Sequence, residues 1–259
     1  MICNIGVYAR EVLRDSPYGF WRFSERSGII NIDHGSGGNN AVNSGPSGIA
    51  VGSTGALVGD TSCGIKCNST GSGTISASPT MLISKDRGVS YECWIRTTQT
   101  SRFTFGTNIR NIWAPIDVGV FSTGKIRANL LNTQIYDGTT DHRIYDGQWH
   151  HIVTTVGPGL GNAHLYIDSI ERPLAVTSNT WGADVSLNST FVLNGLYNAP
   201  TILRMAGDLD EVAMYDYAIS ASRVVAHYRA AKGLAPVRRT FTLSSASRLL
   251  SLRRKAVLV

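Results

Sequence analysis

The stretch Asp146-Gly147-Gln148-Trp149-His150-His151-Ile152-Val153, continued to Val156 and followed by Ala163-His164-Leu165-Tyr166-Ile167-Asp168, decides how this chain is read. Its β-branched and aromatic residues predict two strands, Trp149 to Val156 and Ala163 to Asp168. Neighbouring strand residues point to opposite faces, so His150 and His151 cannot by themselves make a two-His metal site. One of them is expected to be packed and hydrogen-bonded. Working outward, apolar residues again alternate instead of recurring at 3.6. Further strands are predicted at Gly19 to Ser24, Cys63 to Cys67, Gly73 to Ala77, Val89 to Thr97, Ile116 to Phe121, Lys125 to Leu131, Thr190 to Asn194 and Gly207 to Tyr215. Clusters of Gly, Ser, Asn and Thr at Gly35 to Asn40, Gly45 to Gly48 and Ser69 to Gly73 supply turns between them. Ten or so strands in this order predict an all-β chain folded as a two-layer antiparallel sandwich.

Two segments depart from that texture. Tyr8 to Arg14 reads as a short amphipathic helix stopped by Asp15-Ser16-Pro17. Ser220 to Tyr228 reads as a Ser-capped helix with Val224, Val225 and Tyr228 facing inward and Gly233 as its stop.

Charge narrows the function classes. The 259 residues carry 24 Lys and Arg against 18 Asp and Glu, a formal +6. Six of the basic residues, Arg238, Arg239, Arg248, Arg253, Arg254 and Lys255, lie between Ala235 and Val259, where there is no acidic residue. The rest of the chain is therefore neutral, which argues against a general nucleic-acid-binding surface. At 42% hydrophobic residues the composition is that of a folded domain. No apolar run reaches the roughly 18–20 residues of a membrane-spanning helix. Met1 to Gly6 lacks the basic region and apolar stretch of a secretory signal, which predicts folding in the cytosol. Four cysteines make no zinc pattern, and Cys63 and Cys67 on one strand would stand about 13 Å apart, beyond disulfide reach. Buried free thiols are expected.

Several segments together resemble the laminin-G-like jelly rolls of the concanavalin-A-like lectin and glucanase superfamily. Tyr18 to Gly28 looks like that family's first strand, and Asp33 to Ala41 like the Gly/Asn-rich loop after it. Val89-Ser90-Tyr91-Glu92-Cys93-Trp94-Ile95-Arg96-Thr97 is similar to its strand with a central Trp. The Asp146 to Val153 and Ala163 to Asp168 segments are the strongest match. Gly207 to Tyr215, with Ala218 to Ser222 and Ala226-His227-Tyr228, resembles the last strand and closing helix. The resemblance covers residues 17 to 230 and implies a jelly-roll sandwich with short N- and C-terminal helices and a C-terminal arm. It divides the chain into an N-terminal helical segment at 1–16, the jelly roll at 17–232 and a basic, apolar arm at 233–259. Where the family turns with Asp-Gly, this chain has Asp168-Ser169, so a loop other than the two-residue turn is expected. The opening Tyr8 to Arg22 is similar to the start of laminin-G-like proteins found among tail and other virion proteins of tailed bacteriophages.

What the resemblance implies for chemistry is mostly binding. The superfamily's glucanases use Glu-x-Asp-x-x-Glu; Asp208-Leu209-Asp210-Glu211-Val212-Ala213 comes nearest and lacks the final acid, so no enzyme is expected. Superfamily sandwiches often hold one structural Ca²⁺, for which Asp33, Asn39 and Asp210 are the candidate ligands. Trp94, Trp149 and Trp21 match core positions. Trp113, Trp181 and Tyr197 fall in loops with polar neighbours and are the carbohydrate-binding candidates. In the arm, Phe241, Leu243, Arg248, Arg253, Arg254 and Lys255 combine alternating apolar residues with charge. That pattern suits strand addition to a neighbouring virion subunit better than base stacking or membrane insertion. The expectation is a non-catalytic, multicopy virion protein, assembled in the host cytoplasm and exposed on the particle, which presents the jelly roll to cell-surface glycans. A purely structural decoration protein and a divergent glycan hydrolase are the alternatives.

Overall fold

Strands form over Cys63–Cys67, Val89–Thr97, Trp149–Val156 and Gly207–Tyr215, at the residues where alternation predicts them. The structure, a computed structural model, describes residues 6–45, 47–68, 74–100, 103–108, 116–120, 125–130, 133–137, 144–158, 162–179, 183–187, 190–193 and 204–235. In chain order these make α1 (Val7–Arg14), β1 (Gly19–Trp21), β2 (Ile30–Asn31), β3 (Ala41–Ser44), β4 (Ile49–Thr54), β5 (Cys63–Cys67), β6 (Thr74–Ala77), β7 (Met81–Ile83), β8 (Val89–Thr97) and β9 (Phe103–Asn108). There follow β10 (Ile116–Val120), β11 (Ile126–Leu130), β12 (Thr133–Asp137), β13 (Trp149–Val156), β14 (Ala163–Ile167), β15 (Ile170–Glu171), β16 (Leu174–Asn179), β17 (Val185–Leu187), β18 (Phe191–Val192), β19 (Gly207–Tyr215) and α2 (Ala221–Ala231).

Two large antiparallel sheets result. The front sheet runs β15-β14-β13-β8-β19-β5-β4, with β1 also paired to β19, and the back sheet runs β16-β12-β11-β10-β9-β18-β6-β3-β2. Alternate residues of the front sheet, Tyr91, Cys93 and Ile95 of β8 and Leu165 and Ile167 of β14, meet Ile75, Phe103, Val118 and Phe191 of the back sheet in one buried core. Trp21 lies there too, stacked on Phe191 with ring centroids 6.4 Å apart. Cys63, Cys67 and Cys93 are buried free thiols. The fold is the expected jelly-roll-like sandwich.

A second apolar cluster lies on the other face of the front sheet. Tyr8, Ala9 and Val12 of α1 and Val224 and Ala231 of α2 cover Phe20, Trp94, Val153, Ala213 and Tyr215. Helix α1 and the sandwich thus share one buried layer. No helix among the described residues is long and apolar enough to cross a membrane.

Strands the alternation does not announce are short, polar or glycine-bearing. In β9, Gly106 sits where a Cβ would come within 2.5 Å of the Tyr91 ring, so the missing side chain is what lets the two sheets approach. Edge strand β4 alternates between half-buried Ile49, Val51 and Ser53 and exposed Ala50, Gly52 and Thr54, with no fully buried residue to mark it. Helix α2 ends as predicted. Gly233 has φ +66, and the bonds Leu234 N to Arg229 O and Gly233 N to Ala230 O close a Schellman motif. Its start and inner face need correction. Ser220 makes no side-chain cap bond, and the buried positions are Val224, His227 and Ala231, with Val225 and Tyr228 half-buried.

The Asp168-Ser169 connection is also a correction, because it is the two-residue hairpin that the missing Gly argued against. Ile167 pairs with Ile170, and both central residues have positive φ, +52 and +67. Asp168 tolerates this because its carboxylate accepts the His151 N–H at 2.9 Å and bonds His150 Nδ1 at 2.8 Å. Ser169 has no such compensation shown. Ser169→Gly is expected to raise stability by about 0.5–1 kcal/mol, read as a higher midpoint in urea at unchanged slope.

Candidate functional site

Strand β8 alternates between the core and the outer face, and its outward residues lead from a sealed layer to an open cleft. Ser90 Oγ bonds the Tyr217 carbonyl and accepts the Ile219 N–H, fixing the approach to α2. Glu92 is next and wholly buried. Its carboxylate receives Tyr8 OH and Tyr215 OH, both at 2.9 Å, His151 Nε2 at 2.7 Å and His227 Nδ1 at 3.0 Å. His227 Nε2 reaches Asp15 at 2.8 Å, so this imidazole bridges two carboxylates and donates from both nitrogens as the cation. Arg223 binds Asp15 at 2.7 Å and Glu11 at 2.9 Å. Burial opposes charge on His227, but the Glu92 charge and the bonds to Asp15 and Glu92 raise its pKa to about 9. Burial likewise works against ionised Glu92, and the His227 charge and His151 hydrogen bond outweigh it, holding the carboxyl well below its usual range. Trp94, the third outward residue, stacks on His151 and Tyr228 with Lys232 Nζ 4.9 Å from its ring centroid. These groups tie both helices to the sheet, with Glu92, Trp94, His151 and His227 buried and Glu11, Asp15, Arg223 and Lys232 partly exposed at the rim.

Arg96, the fourth, emerges beyond the helices. Register places it in a row across five strands: Trp149 opposite Arg96, Arg96 opposite Asp208, Asp208 opposite Lys66 and Lys66 opposite Ala50. Ala50, Lys66, Asp208 and Arg96 of this row floor an open cleft of about 500 Å³, walled by Gly48, Ile49, Thr98 and Gly147. Gly147 is held there by its N–H to the Thr97 carbonyl at 3.0 Å. Arg96 Nε binds Asp208 Oδ2 at 3.1 Å, and its guanidinium carbon lies 4.9 Å from the Trp149 ring centroid. Asp208 is 7% exposed and its Oδ1 has no hydrogen-bond partner. Lys66 is exposed. The cleft floor therefore carries one carboxylate between two cationic side chains, its Oδ1 buried and its Oδ2 held by Arg96.

The residues singled out from sequence fall elsewhere. Trp113, Trp181 and Tyr197 lie outside the described residues, as do Phe241, Leu243, Arg248, Arg253, Arg254 and Lys255 of the arm. Trp149 is not a core residue: it is half-buried behind Arg96, and the correction arises because its side chain points out of the sandwich. Both histidines, not one, are held by carboxylates, His150 by Asp168 and Asp146 and His151 by Glu92. Asp33 Oδ1 accepts the Phe20 and Gly35 N–H groups and its Oδ2 the Asn39 N–H, which folds the loop after β2 around it. Asn39 itself takes the Trp21 indole N–H on its carbonyl at 2.9 Å. Asp210 accepts the Ala56 and Glu211 N–H groups. Both carboxylates accept backbone N–H groups, as in hydrogen-bonded turns. Among the described residues no group of three or more His, Cys, Asp or Glu side chains is placed to hold a metal.

The next carboxylates along β19 are also committed. A bulge between Asp210 and Ala213 gives Glu211 a φ of +48, and Arg22 clamps it at 2.9 Å while reaching Asp60 at 3.1 Å. Burial raises Glu211 to about 7 against the pull of Arg22; burial and the Glu211 charge push Asp210 up as well.

Comparison with known proteins follows the same lines. No curated protein matches the chain by sequence. Among solved structures it resembles the binding domain of Paraclostridial Mosquitocidal Protein 1, with TM-score 0.61 and 17% identity over 84% of this chain and 52% of that one. The receptor-binding domain of botulinum neurotoxin mosaic serotype C/D gives TM-score 0.58 and 14% identity over 83% and 51%. This chain thus spans about half the length of those two domains. Domain 4 of AbnA, a GH43 extracellular arabinanase from Geobacillus stearothermophilus solved with arabinotriose, gives TM-score 0.55 and 19% identity over 82% and 98%. At such identities the likeness is one of fold. Residues 69–225, more than half of the chain, match the family model described as the concanavalin A-like lectin/glucanases superfamily. The chain belongs to that superfamily, and its sandwich is a laminin-G-like jelly roll.

Proposed function

We propose that this chain is a non-catalytic binding module whose ligand, a glycan, lies in the cleft over Lys66, Asp208 and Arg96. The observation that carries this reading is the row Lys66, Asp208 and Arg96 along the cleft, a carboxylate set between two cationic donors. A sugar hydroxyl is donor and acceptor at once, so an acceptor oxygen beside N–H donors matches it. Ile49 and Ala50 offer an apolar wall for its C–H face. A cleft of about 500 Å³ is of the size that holds small ligands. A retaining glycosidase needs two carboxylates about 5–5.5 Å apart across the sugar bond. Asp210 is fully buried on backbone N–H groups, and Ala213 stands where the glucanase pattern has its last acid. That the similar solved structures include binding and receptor-binding domains supports the same reading.

The finer reading is host-surface attachment from a tailed-phage particle, anchored through the basic, apolar arm to neighbouring virion subunits. It rests on the resemblance of Tyr8 to Arg22 and on the charge carried by residues 235–259. Many copies would multiply weak single-site binding. Pull-down of intact host cells by multimerised protein is the test, with Asp208→Asn expected to lower retention roughly tenfold, the loss of about one charge-assisted hydrogen bond. Absence of binding by the multimer favours decoration alone. Glycan turnover abolished by Asp208→Asn would overturn the non-catalytic assignment.

A further inference from the structure

We infer that the cleft selects an acidic saccharide, a sugar whose carboxylate stands beside free hydroxyls; this deepens the binding reading above and rests on it. Along the row the cleft carries two cations, Lys66 and Arg96, and one anion, Asp208. Asp146, next to the wall residue Gly147, is already committed to His150 Nε2 at 3.0 Å and the Gln148 N–H at 2.8 Å. A neutral sugar would leave one positive charge unmatched in a cleft partly shielded from water.

Arg96 is prepared for a planar anion. Its Nε is spent on Asp208 and its plane is set by the Trp149 face, so the orientation of the guanidinium is fixed before a ligand arrives. Its terminal nitrogens have no hydrogen bond to the described residues, and the side chain is 31% exposed. Parallel N–H groups of this kind match a carboxylate in two-point fashion, where an ammonium acts as a point charge. Lys66, exposed one strand beyond Asp208, adds that point charge.

Asp208 then supplies the discrimination. Its carboxylate, 7% exposed at the cleft floor, repels an anion placed against it and favours a hydroxyl that donates to it. A ligand that satisfies the whole row presents its carboxylate to Arg96 and Lys66 and a neighbouring hydroxyl to Asp208. Uronic and sialic acids have that arrangement.

The test is a glycan array on which each uronate- or sialate-bearing glycan is printed beside its methyl ester and its neutral parent, probed with multimerised protein. Binding is expected to be confined to free acids, to fall about tenfold or more on esterification, and to weaken as salt is raised. Lys66→Glu, at an exposed position where an unchanged Tm confirms folding, is expected to abolish it. Equal binding of acid, ester and neutral parent, still lost in Asp208→Asn, overturns the acidic inference and keeps the cleft as the site. No binding, or binding indifferent to both Lys66→Glu and Asp208→Asn, overturns both.

Discussion

Glu92→Gln is expected to cost about 3–5 kcal/mol, the usual penalty for removing one partner of a buried ion pair. The substitution keeps the shape of the side chain but replaces one acceptor oxygen with an NH₂ group. Tyr8, Tyr215, His151 and His227 all point donors at that carboxylate, so at least one would face another donor in a site closed to water. His227 would also keep only Asp15 as a counter-charge. At about 2–4 °C per kcal/mol for a domain of this size, Tm should fall by about 10 °C. Thermal unfolding measured by far-UV circular dichroism checks this, and a change below about 2 °C would refute the role given to Glu92.

The same network sets a pH profile. His227 has its folded pKa raised to about 9 from an ordinary 6.5. Its contribution is complete below about pH 6.5 and is lost as pH rises through about 9, worth on the order of 3 kcal/mol. Glu92 and Asp15 have lowered values, against burial, through their bonds to His227, with His151 aiding Glu92 and Arg223 aiding Asp15. Their contribution is present above the ordinary carboxylate range and is lost as pH falls below it. The contribution of this network should therefore be fullest between about pH 5 and 6.5 and decline toward 9, and Glu92→Gln should flatten the alkaline limb relative to the parent protein.

Deleting residues 1–16 is expected to disrupt the packing of the front sheet. The deletion removes Tyr8, Ala9 and Val12, all within 1% of full burial, and uncovers Trp94, Val153 and Tyr215 beneath them. Lost burial of a Tyr and a Val alone amounts to about 3–6 kcal/mol. Asp15 leaves as well, so His227 and Arg223 lose a carboxylate that each of them binds. The truncated chain should bind a hydrophobic dye, lose near-UV ellipticity and unfold without a sharp transition. Val7→Ser, at a residue 58% exposed, should change little. A truncated protein with an unaltered Tm would show that α1 is an appendage.

Residues with a local signature were legible. Trp149 to Val156, Val89 to Thr97 and Gly207 to Tyr215 alternate strongly enough to be found, and Gly233 announces the end of α2 because a left-handed residue costs Gly little. The buried carboxylate left one trace, Glu92 set between Tyr91 and Cys93 in a strand without other charge before Arg96, and His227 another, on the inner face of α2. A charge in such a place demands a partner, yet nothing local says that the partners are 59 and 135 residues away. The cleft left less. Lys66, Arg96, Trp149 and Asp208 sit on four strands and become neighbours only through register.

The sequence by itself determined a neutral, all-β sandwich of laminin-G-like character with its positive charge at the C-terminal end, because period-two alternation and charge count are local properties. The tertiary structure alone decided which side chains of the front sheet are sealed beneath α1 and α2 and which stand open beside them. Strand pairing and the helical layer bring residues together across the chain, and their reach then fixes whether a carboxylate becomes a tie sealed beneath the helices, as at Glu92, or part of a cleft floor, as at Asp208.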